Sequence, residues 1–430
     1  MDASDFLHRL FARIDDRTDA IVDLTRDLVR IPTVNPPGEA YGDCARLLGD
    51  RLARRGFAVE YLRAEGGLAD SDRYPRINVV ARREGTGPGP CVHFNGHIDV
   101  VEAGRGWTED PFAATVRDGR VYGRGTCDMK GGIAAAVVAV EALLDETGGH
   151  LPGALEISGT VDEESGGFAG VAWLAQKGHF SPPRVDHVII PEPLHKDCVC
   201  LGHRGVYWAE VEVKGRTAHG SMPFLGRSAI RGMADFLARV ERDLYPRLDA
   251  RETAMPVIPE GARRSTLNFN SLHGGQDEGA DGLPSPMVAD SCRLVLDRRF
   301  LIEESLDDVK GEIVALLEAM RRDRPALDYT IRDMMTVLPT MTEADAPVVR
   351  ALEGEILRVL GRPATHVVSP GTYDQKHIAR IGHLHDCVAY GPGILDLAHQ
   401  PDEFIDIADM VDSAKVMAAT AYRLLHRNNL

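Results

Sequence analysis

Apolar residues recur at helical spacing over residues 5–30, with Ile21, Leu24 and Leu28 on one face, and the repeat stops at the Ile31-Pro32 step. After the turn Pro36-Pro37-Gly38, the pattern predicts a second amphipathic helix over 40–55 and short β-rich runs at 58–61 and 78–82. A Gly-Pro-Gly-Pro turn then opens the apolar, β-leaning run Cys91-Val92-His93-Phe94-Asn95-Gly96-His97-Ile98-Asp99-Val100-Val101. Further strands are predicted at 120–123, 155–161 and 185–190, with an Ala- and Val-rich helix at about 132–145 and another starting near Phe168. Helices alternating with buried strands specify an α/β sheet domain.

Around His203-Arg204-Gly205 the texture changes. Residues 206–214 alternate with period two, as in an antiparallel strand with one wet face, 215–223 form a loop, and 228–244 read as an amphipathic helix. Strands at 265–272 and 287–300 bracket an acidic, Gly-rich loop at 274–282; a helix at 306–321 and a strand at 328–336 close this α+β section. The first texture then resumes with a helix at 346–360, a strand at 365–369, the turn Gly371-Thr372-Tyr373-Asp374 into a helix, a strand at 385–390 and a last helix at about 407–425. The expected organisation is an α/β domain with a mixed sheet and helices on both faces, built from residues 1–204 and 338–430. A smaller α+β domain, residues 205–337, is inserted into it.

The length of 430 residues suits two domains, and a net charge of −16, from 49 basic and 65 acidic residues, argues against a nucleic-acid or anionic-membrane partner. That charge suits a site that concentrates cations. The acidic start Met1-Asp2-Ala3-Ser4-Asp5 is unlike a signal peptide, and no run approaches the apolar length of a membrane span. Seven scattered cysteines fit reduced thiols in the cytoplasm. Cys198 and Cys200 have no second pair nearby to complete a zinc knuckle and are read as packing residues.

The candidate chemistry sits where predicted strands end. His97 and Asp99, two residues apart, would share one strand face, so that an imidazole could bind an ion while the carboxylate orients it. A hydrogen-bonded structural pair is the plainer reading of those two alone. Asp128 follows the glycines of Gly123-Arg124-Gly125, whose spacing fits neither a P-loop nor a dinucleotide fingerprint; by itself it could simply cap the next helix. The strand 155–161 ends in Asp162-Glu163-Glu164, three carboxylates that repel unless cations or donors compensate them. The strand 185–190 ends in Pro191-Glu192-Pro193, a rigid turn around one carboxylate, and His399 follows the last strand.

Together, His97, Asp128, Glu164, Glu192 and His399 supply two imidazoles and three carboxylates. A bridging carboxylate with one His and one further carboxylate per ion is what a two-metal site requires. Glu163, beside Glu164 and surplus to that set, is placed to take a proton from an attacking water. His93 is expected beneath the site, and His383 and His385 are read as packing or surface residues. No Gly-x-Ser-x-Gly elbow supports a serine hydrolase.

In their order and domain layout these segments, from His97 through Asp128, Glu163-Glu164, Glu192 and His219 to His399, resemble the M20 family of metallohydrolases. The resemblance implies His97, Asp128 and Glu192 on one divalent ion and Asp128, Glu164 and His399 on the other. Zinc is the expected metal; manganese and cobalt are alternatives, because Glu192 stands where some relatives carry Asp. Asp99 would support the ligands and Glu163 would be the general base. The inserted domain would serve as lid and dimerisation element, giving a homodimer or higher oligomer. His219, which by position alone reads as an exposed loop histidine, would hydrogen-bond an oxyanion, in cis or from a partner subunit. Asn268 and Arg299, with Arg298 as a rival, would hold a substrate carboxylate, and Gly391 and Gly393 would line the substrate site. The implied activity is hydrolysis of an N-acyl amino acid or similar small carboxylated amide. Dipeptide cleavage, carbamoyl-amine hydrolysis and deamination of an unusual amine stand as alternatives on the same site, and a non-catalytic binding relative as one of another class.

Overall fold

The computed structural model describes residues 3–276 and 285–426. The chain divides into two units, one made of Met1–Gly202, Met341–Val367 and Tyr373–Leu430, the other of His203–Thr340 and Val368–Thr372. The returning segment 368–372, which the sequence pattern assigns to the first domain, clusters with the second because Val368 pairs with Val257.

The first unit is built on a nine-stranded mixed sheet. At its centre the strands Pro152–Thr160, Gly87–His97, His187–Ile190 and Cys387–Ala389 run parallel to one another in that order. Ile77–Glu84 and Ala58–Arg63 extend the sheet antiparallel on one side, and Cys198–His203 does so on the other. The alternation of strand Gly87–His97 explains how both faces are covered. A Cβ on Gly96 would meet Ile133, so the even positions face helix Gly131–Glu146. The odd positions face the opposite layer, where His93 stacks on Phe180 and Asn95 reaches Asp374. Helix Gly131–Glu146 is apolar almost all round because it is buried on nearly every side, packed also against helix Ile407–His426. Gly132 lies where any Cβ would strike the carbonyl of Pro191, so the absence of a side chain sets how closely this helix approaches the Glu192 turn.

Several boundaries differ from the sequence reading. The expected first helix is two, Ala3–Asp15 and Thr18–Val29, broken where Arg17 leaves helical geometry and Thr18 Oγ1 donates to the Asp15 carbonyl. The expected run 91–101 is a strand only to His97; residues 98–101 bend away, and Val100 bridges Val34 instead. Asp128 does not cap the following helix, which starts at Gly131. The short strands Thr115–Arg117 and Phe404–Asp406, too brief for an alternation signal, join Arg120–Tyr122 in a small three-stranded sheet.

The second unit is a four-stranded antiparallel sheet in the order Thr266–Gly274, Ser291–Phe300, Gly205–Lys214, Asp328–Val337. Its apolar face, with Val211, Val213, Leu294 and Leu296, packs on Met233 and Phe236 of helix Ala229–Arg239 and on Ile313 and Leu317 of helix Leu306–Asp323. The alternation of strand Ser291–Phe300 turns Asp297 and Arg299 to the other, half-exposed face. Most of the acidic loop predicted at 274–282 lies outside the described residues. No helix among the described residues is long and apolar enough to cross a membrane.

One buried ion cluster gives the first unit a predicted acid response. Burial opposes ionisation of Glu156, but His93, 3.0 Å away, and Arg184, at 2.8 Å, outweigh it and hold the carboxyl down at about 2. The stability this contributes is fully present above the ordinary value of 4.5 and is lost as pH falls toward 2, on the order of 3 kcal/mol. Urea unfolding of wild type and Glu156→Gln between pH 6 and pH 3 should therefore show a stability gap that closes with acid, whereas a gap constant with pH would contradict this origin.

Candidate metal centre

All the candidate ligands of the first unit lie beyond the carboxyl ends of the parallel strands or in loops that reach that edge, where open α/β sheets place their sites. His97 closes its strand in register with Thr160, from which the chain runs directly to Glu163 and Glu164; Ile190 leads to Glu192. His97 Nε2 lies 3.0 Å from Asp128 Oδ1 and 3.8 Å from Glu192 Oε1. On the other side of the same carboxylate, Asp128 Oδ2 is 3.5 Å from His399 Nε2, which is 3.0 Å from Glu164 Oε2. The five side chains thus form two groups of three, His97-Asp128-Glu192 and Asp128-Glu164-His399, each with donor atoms within 4.8 Å of one another and both sharing Asp128.

The electrostatics favour positive charge here. Burial raises the carboxyl of Glu192 well above its usual range, with the charge of Asp128 adding to the effect, and burial brings Glu164 to about 7. The hydrogen bond to Glu164 lifts His399 to about 9. Burial opposes the His97 imidazolium, but hydrogen bonds to Asp128 and Asp99 overcome it and its pKa is raised. A cluster that holds surplus carboxylate charge and stabilises imidazolium fits divalent cations, for which imidazole nitrogen and carboxylate oxygen are suitable donors.

Asp99 ties the group together. Its Oδ1 accepts the backbone N–H of Glu163 and its Oδ2 that of Glu164, each at 3.2 Å, while its own carbonyl lies 3.0 Å from His97 Nδ1. With Nδ1–H donated to that carbonyl, Nε2 is left to face Asp128. The acidic run is compensated residue by residue. Asp162 accepts from Tyr41 at 2.8 Å and from Arg76 at 3.0 Å, Glu163 pairs with Lys376 at 3.1 Å, and Glu164 lies against His399.

Four contributors escaped the sequence reading. Asn35 donates to Asp99 Oδ2 at 3.0 Å and to Ser165 at 2.9 Å. Glu403 is fully buried and its Oε1 accepts the backbone N–H groups of Gly125, Cys127 and Asp128, while Arg124, lying over Trp107, donates to its Oε2 at 2.6 Å. This clamp fixes the loop that carries Asp128. Asp374, at the N-cap of helix Gln375–Arg380, and Lys376, in its first turn, are the other two, and both are almost entirely buried. Neither carries a local sequence signal that separates it from a surface charge.

The remaining candidates are placed as follows. Gly391 and Gly393 lie against the Glu192 turn, where added Cβ atoms would strike the Pro191 backbone and Cys127 Sγ respectively. His93 is buried on the odd face of its strand, 2.7 Å from Ser158 Oγ, and His383 and His385 are exposed. In the second unit, His219 is exposed on its loop, and its Nδ1 accepts the backbone N–H of Ser221 at 3.1 Å. Ser221 Oγ lies 2.7 Å from the same nitrogen, and with Nδ1 as the acceptor the neutral ring would carry its proton on Nε2. Arg299 forms a bidentate pair with Asp297 at 2.7 and 3.0 Å, Asn268 donates to Asn270 at 2.8 Å, and Arg298 is buried against Glu304 at 2.6 Å. The Arg299–Asp297 pair occupies one edge of the guanidinium and leaves its other N–H groups for a ligand.

Residues 93–423 match the family model described as peptidase family M20/M25/M40. Among curated proteins, the succinyl-diaminopimelate desuccinylase of Xanthomonas campestris pv. campestris strain 8004 is 31% identical over 415 residues, covering 95% of this chain and all of that protein. The desuccinylase of Stenotrophomonas maltophilia strain K279a is 31% identical over 399 residues, 91% of this chain and 95% of its own. Of solved structures, human carnosine dipeptidase 1 superposes with a TM-score of 0.75 at 20% identity, covering 98% of this chain and 99% of that one. The dipeptidase Dug1p of Saccharomyces cerevisiae gives 0.77 at 16% identity, with 99% of each chain covered. These two establish likeness of fold. With most of its length matched both by the family model and by relatives of this identity, the chain belongs to the peptidase family M20/M25/M40.

Proposed function

We propose that the chain hydrolyses the amide bond of an N-acyl amino acid or a similar small carboxylated amide, with two divalent ions and Glu163 as general base. The observation that carries this reading is the Asp128 carboxylate, whose two oxygens face two different histidine–carboxylate groups. His97, Asp128 and Glu192 would hold one ion, and Asp128, Glu164 and His399 the other; such donors suit zinc, and also manganese or cobalt. A pair of ions bound there supplies carbonyl polarisation and a more acidic water.

The chain's own residues do the rest. Glu163 takes the proton of the attacking water and passes it to the leaving amine. Asp99 holds both the base and its neighbouring ligand by their backbone N–H groups, and His219 donates from Nε2 to the developing oxyanion. We assign Asn268 and Arg299 to the substrate carboxylate, and Gly391 and Gly393 to the wall beside the Glu192 turn. Relatives named as desuccinylases support an N-acyl substrate.

A homodimer through the inserted unit is supported by the two edge strands of its sheet, which have no further strand partner among the described residues, and by exposed Phe224, Leu225, Leu272 and Met287. Cytoplasmic residence is supported by seven buried cysteines, none of them joined in a disulfide.

Protein reconstituted separately with zinc, manganese and cobalt, and assayed on N-succinyl and N-acetyl amino acids, dipeptides, N-carbamoyl amino acids and free amines, tests the substrate class. The greatest turnover is expected on an N-acyl amino acid; turnover confined to carbamoyl compounds or to ammonia release would replace this reading. On the substrate so found, Arg299→Ala should raise KM at least ~10-fold with kcat little changed, since a charged bidentate contact contributes about 1.5–3 kcal/mol. An unchanged KM would remove Arg299 from the site, and Arg298 could not replace it, since it is fully buried on the opposite face of the strand against Glu304.

A further inference from the structure

The candidate base has a partner that the general two-ion scheme does not require. Lys376 is 2% exposed, yet its Nζ lies 3.1 Å from Glu163 Oε1. A lysine so deeply buried is costly to keep ionised unless a carboxylate compensates it, and an apolar residue of similar length would fill the space without that cost. Glu163 carries three rotatable side-chain bonds at the start of a single 3-10 turn, Glu163–Ser165. The bonds from Asp99 fix only its backbone. The contact to Lys376 falls on Oε1 and so restrains where the carboxylate points, with Oε2 as the oxygen assigned to the proton.

The lysine is itself held from several sides. Gln375, its neighbour, donates to the carbonyls of Leu201 and Cys387 and to Thr342 Oγ1, all within 3.0 Å. Asp374, on the other side, is buried and accepts from Asn95 Nδ2 at 3.1 Å, which roots the turn in the His97 strand. His377, one residue on, lies 2.7 Å from the carbonyl of Gly166, closing a second contact to the loop of Glu163. Gly167, at φ +75°, would drive a Cβ to 2.8 Å from Asp374 Oδ1, so a glycine is what lets the two loops meet.

We infer that Lys376 is a positioning residue that fixes the carboxylate of Glu163 for proton transfer, held in place by the turn Asp374–His377. This inference rests on the reading of Glu163 as the base. Misplacing a reacting group by about an ångström costs on the order of 10²-fold in rate. Lys376→Met should therefore lower kcat by ~10–10²-fold with KM within about threefold of wild type, while the protein keeps its circular dichroism and its metal content. Lys376→Arg, which restores a cation, should recover most of the loss. In a Glu163→Gln background the Met substitution should cost little more, because the group it positions is already disabled.

Wild-type kcat in Lys376→Met, the same fold loss with and without Glu163, or a Met variant that fails to fold or to retain metal would each overturn the positioning role. Near-normal turnover of Glu163→Gln alone would instead remove the base assignment, an outcome distinguishable from failure of Lys376.

Discussion

Glu163→Gln is expected to retain the metal content of wild type and to turn over at least ~10²-fold more slowly, the usual scale of general-base catalysis. The residue is separable from the ion-binding set by geometry. Its carboxylate pairs with Lys376, and it is absent from both three-residue groups that share Asp128. Glutamine keeps the size and one hydrogen-bond acceptor but cannot take a proton, so the loss should fall on kcat and leave KM close to wild type. Parallel elemental analysis makes the test specific. Loss of metal together with activity would mean that Glu163 belongs to the ligand set, and near-normal turnover would move the base elsewhere.

His219→Ala should lower kcat by ~10²–10³-fold without changing metal binding, the scale seen when one oxyanion donor is removed. The physical support is the tautomer. Nδ1 is engaged by the Ser221 N–H in the loop itself, and with Nδ1 as the acceptor Nε2 is the nitrogen left to donate. A donor held this way gains most as charge develops on the substrate oxygen, which predicts an effect on kcat larger than on KM. If the histidine serves a neighbouring subunit, mixing His219→Ala with Glu163→Gln chains should restore activity, since one hybrid site then has both groups intact. Failure of demonstrated mixed dimers to complement would assign His219 to its own chain, and full activity of His219→Ala would end the oxyanion role.

The legibility of this protein in its sequence follows physical range. Strands buried on both faces read as apolar runs, so the parallel centre and the residues just past its ends could be located from Val92, Phe94, Ile189 and Ile190. The period-two alternation of residues 206–214 marked the change to a sheet with one wet face, and the structure gives that strand as Gly205–Lys214. What escaped depends on contacts made across long stretches of chain. Glu403 reaches the backbone of residue 128, 275 positions away, and Lys376 reaches Glu163 across 213. Neither residue has a local pattern that distinguishes it from a surface charge. The bend after His97 was missed for a related reason, since the partner that draws Val100 out of the sheet is Val34, far upstream. The Arg299–Asp297 pair joins positions two apart on one strand face, a spacing legible in the sequence.

Elemental analysis of the active protein, coupled to assay, decides whether Asp128 joins two ion sites into one hydrolytic centre. Fully active protein should carry about two divalent ions per chain, lose activity on chelation and regain it as the second equivalent is restored. Asp128→Ala should bind neither ion stoichiometrically. Fully active protein carrying no divalent metal, or full activity at one equivalent with Asp128→Ala still loaded, would contradict it.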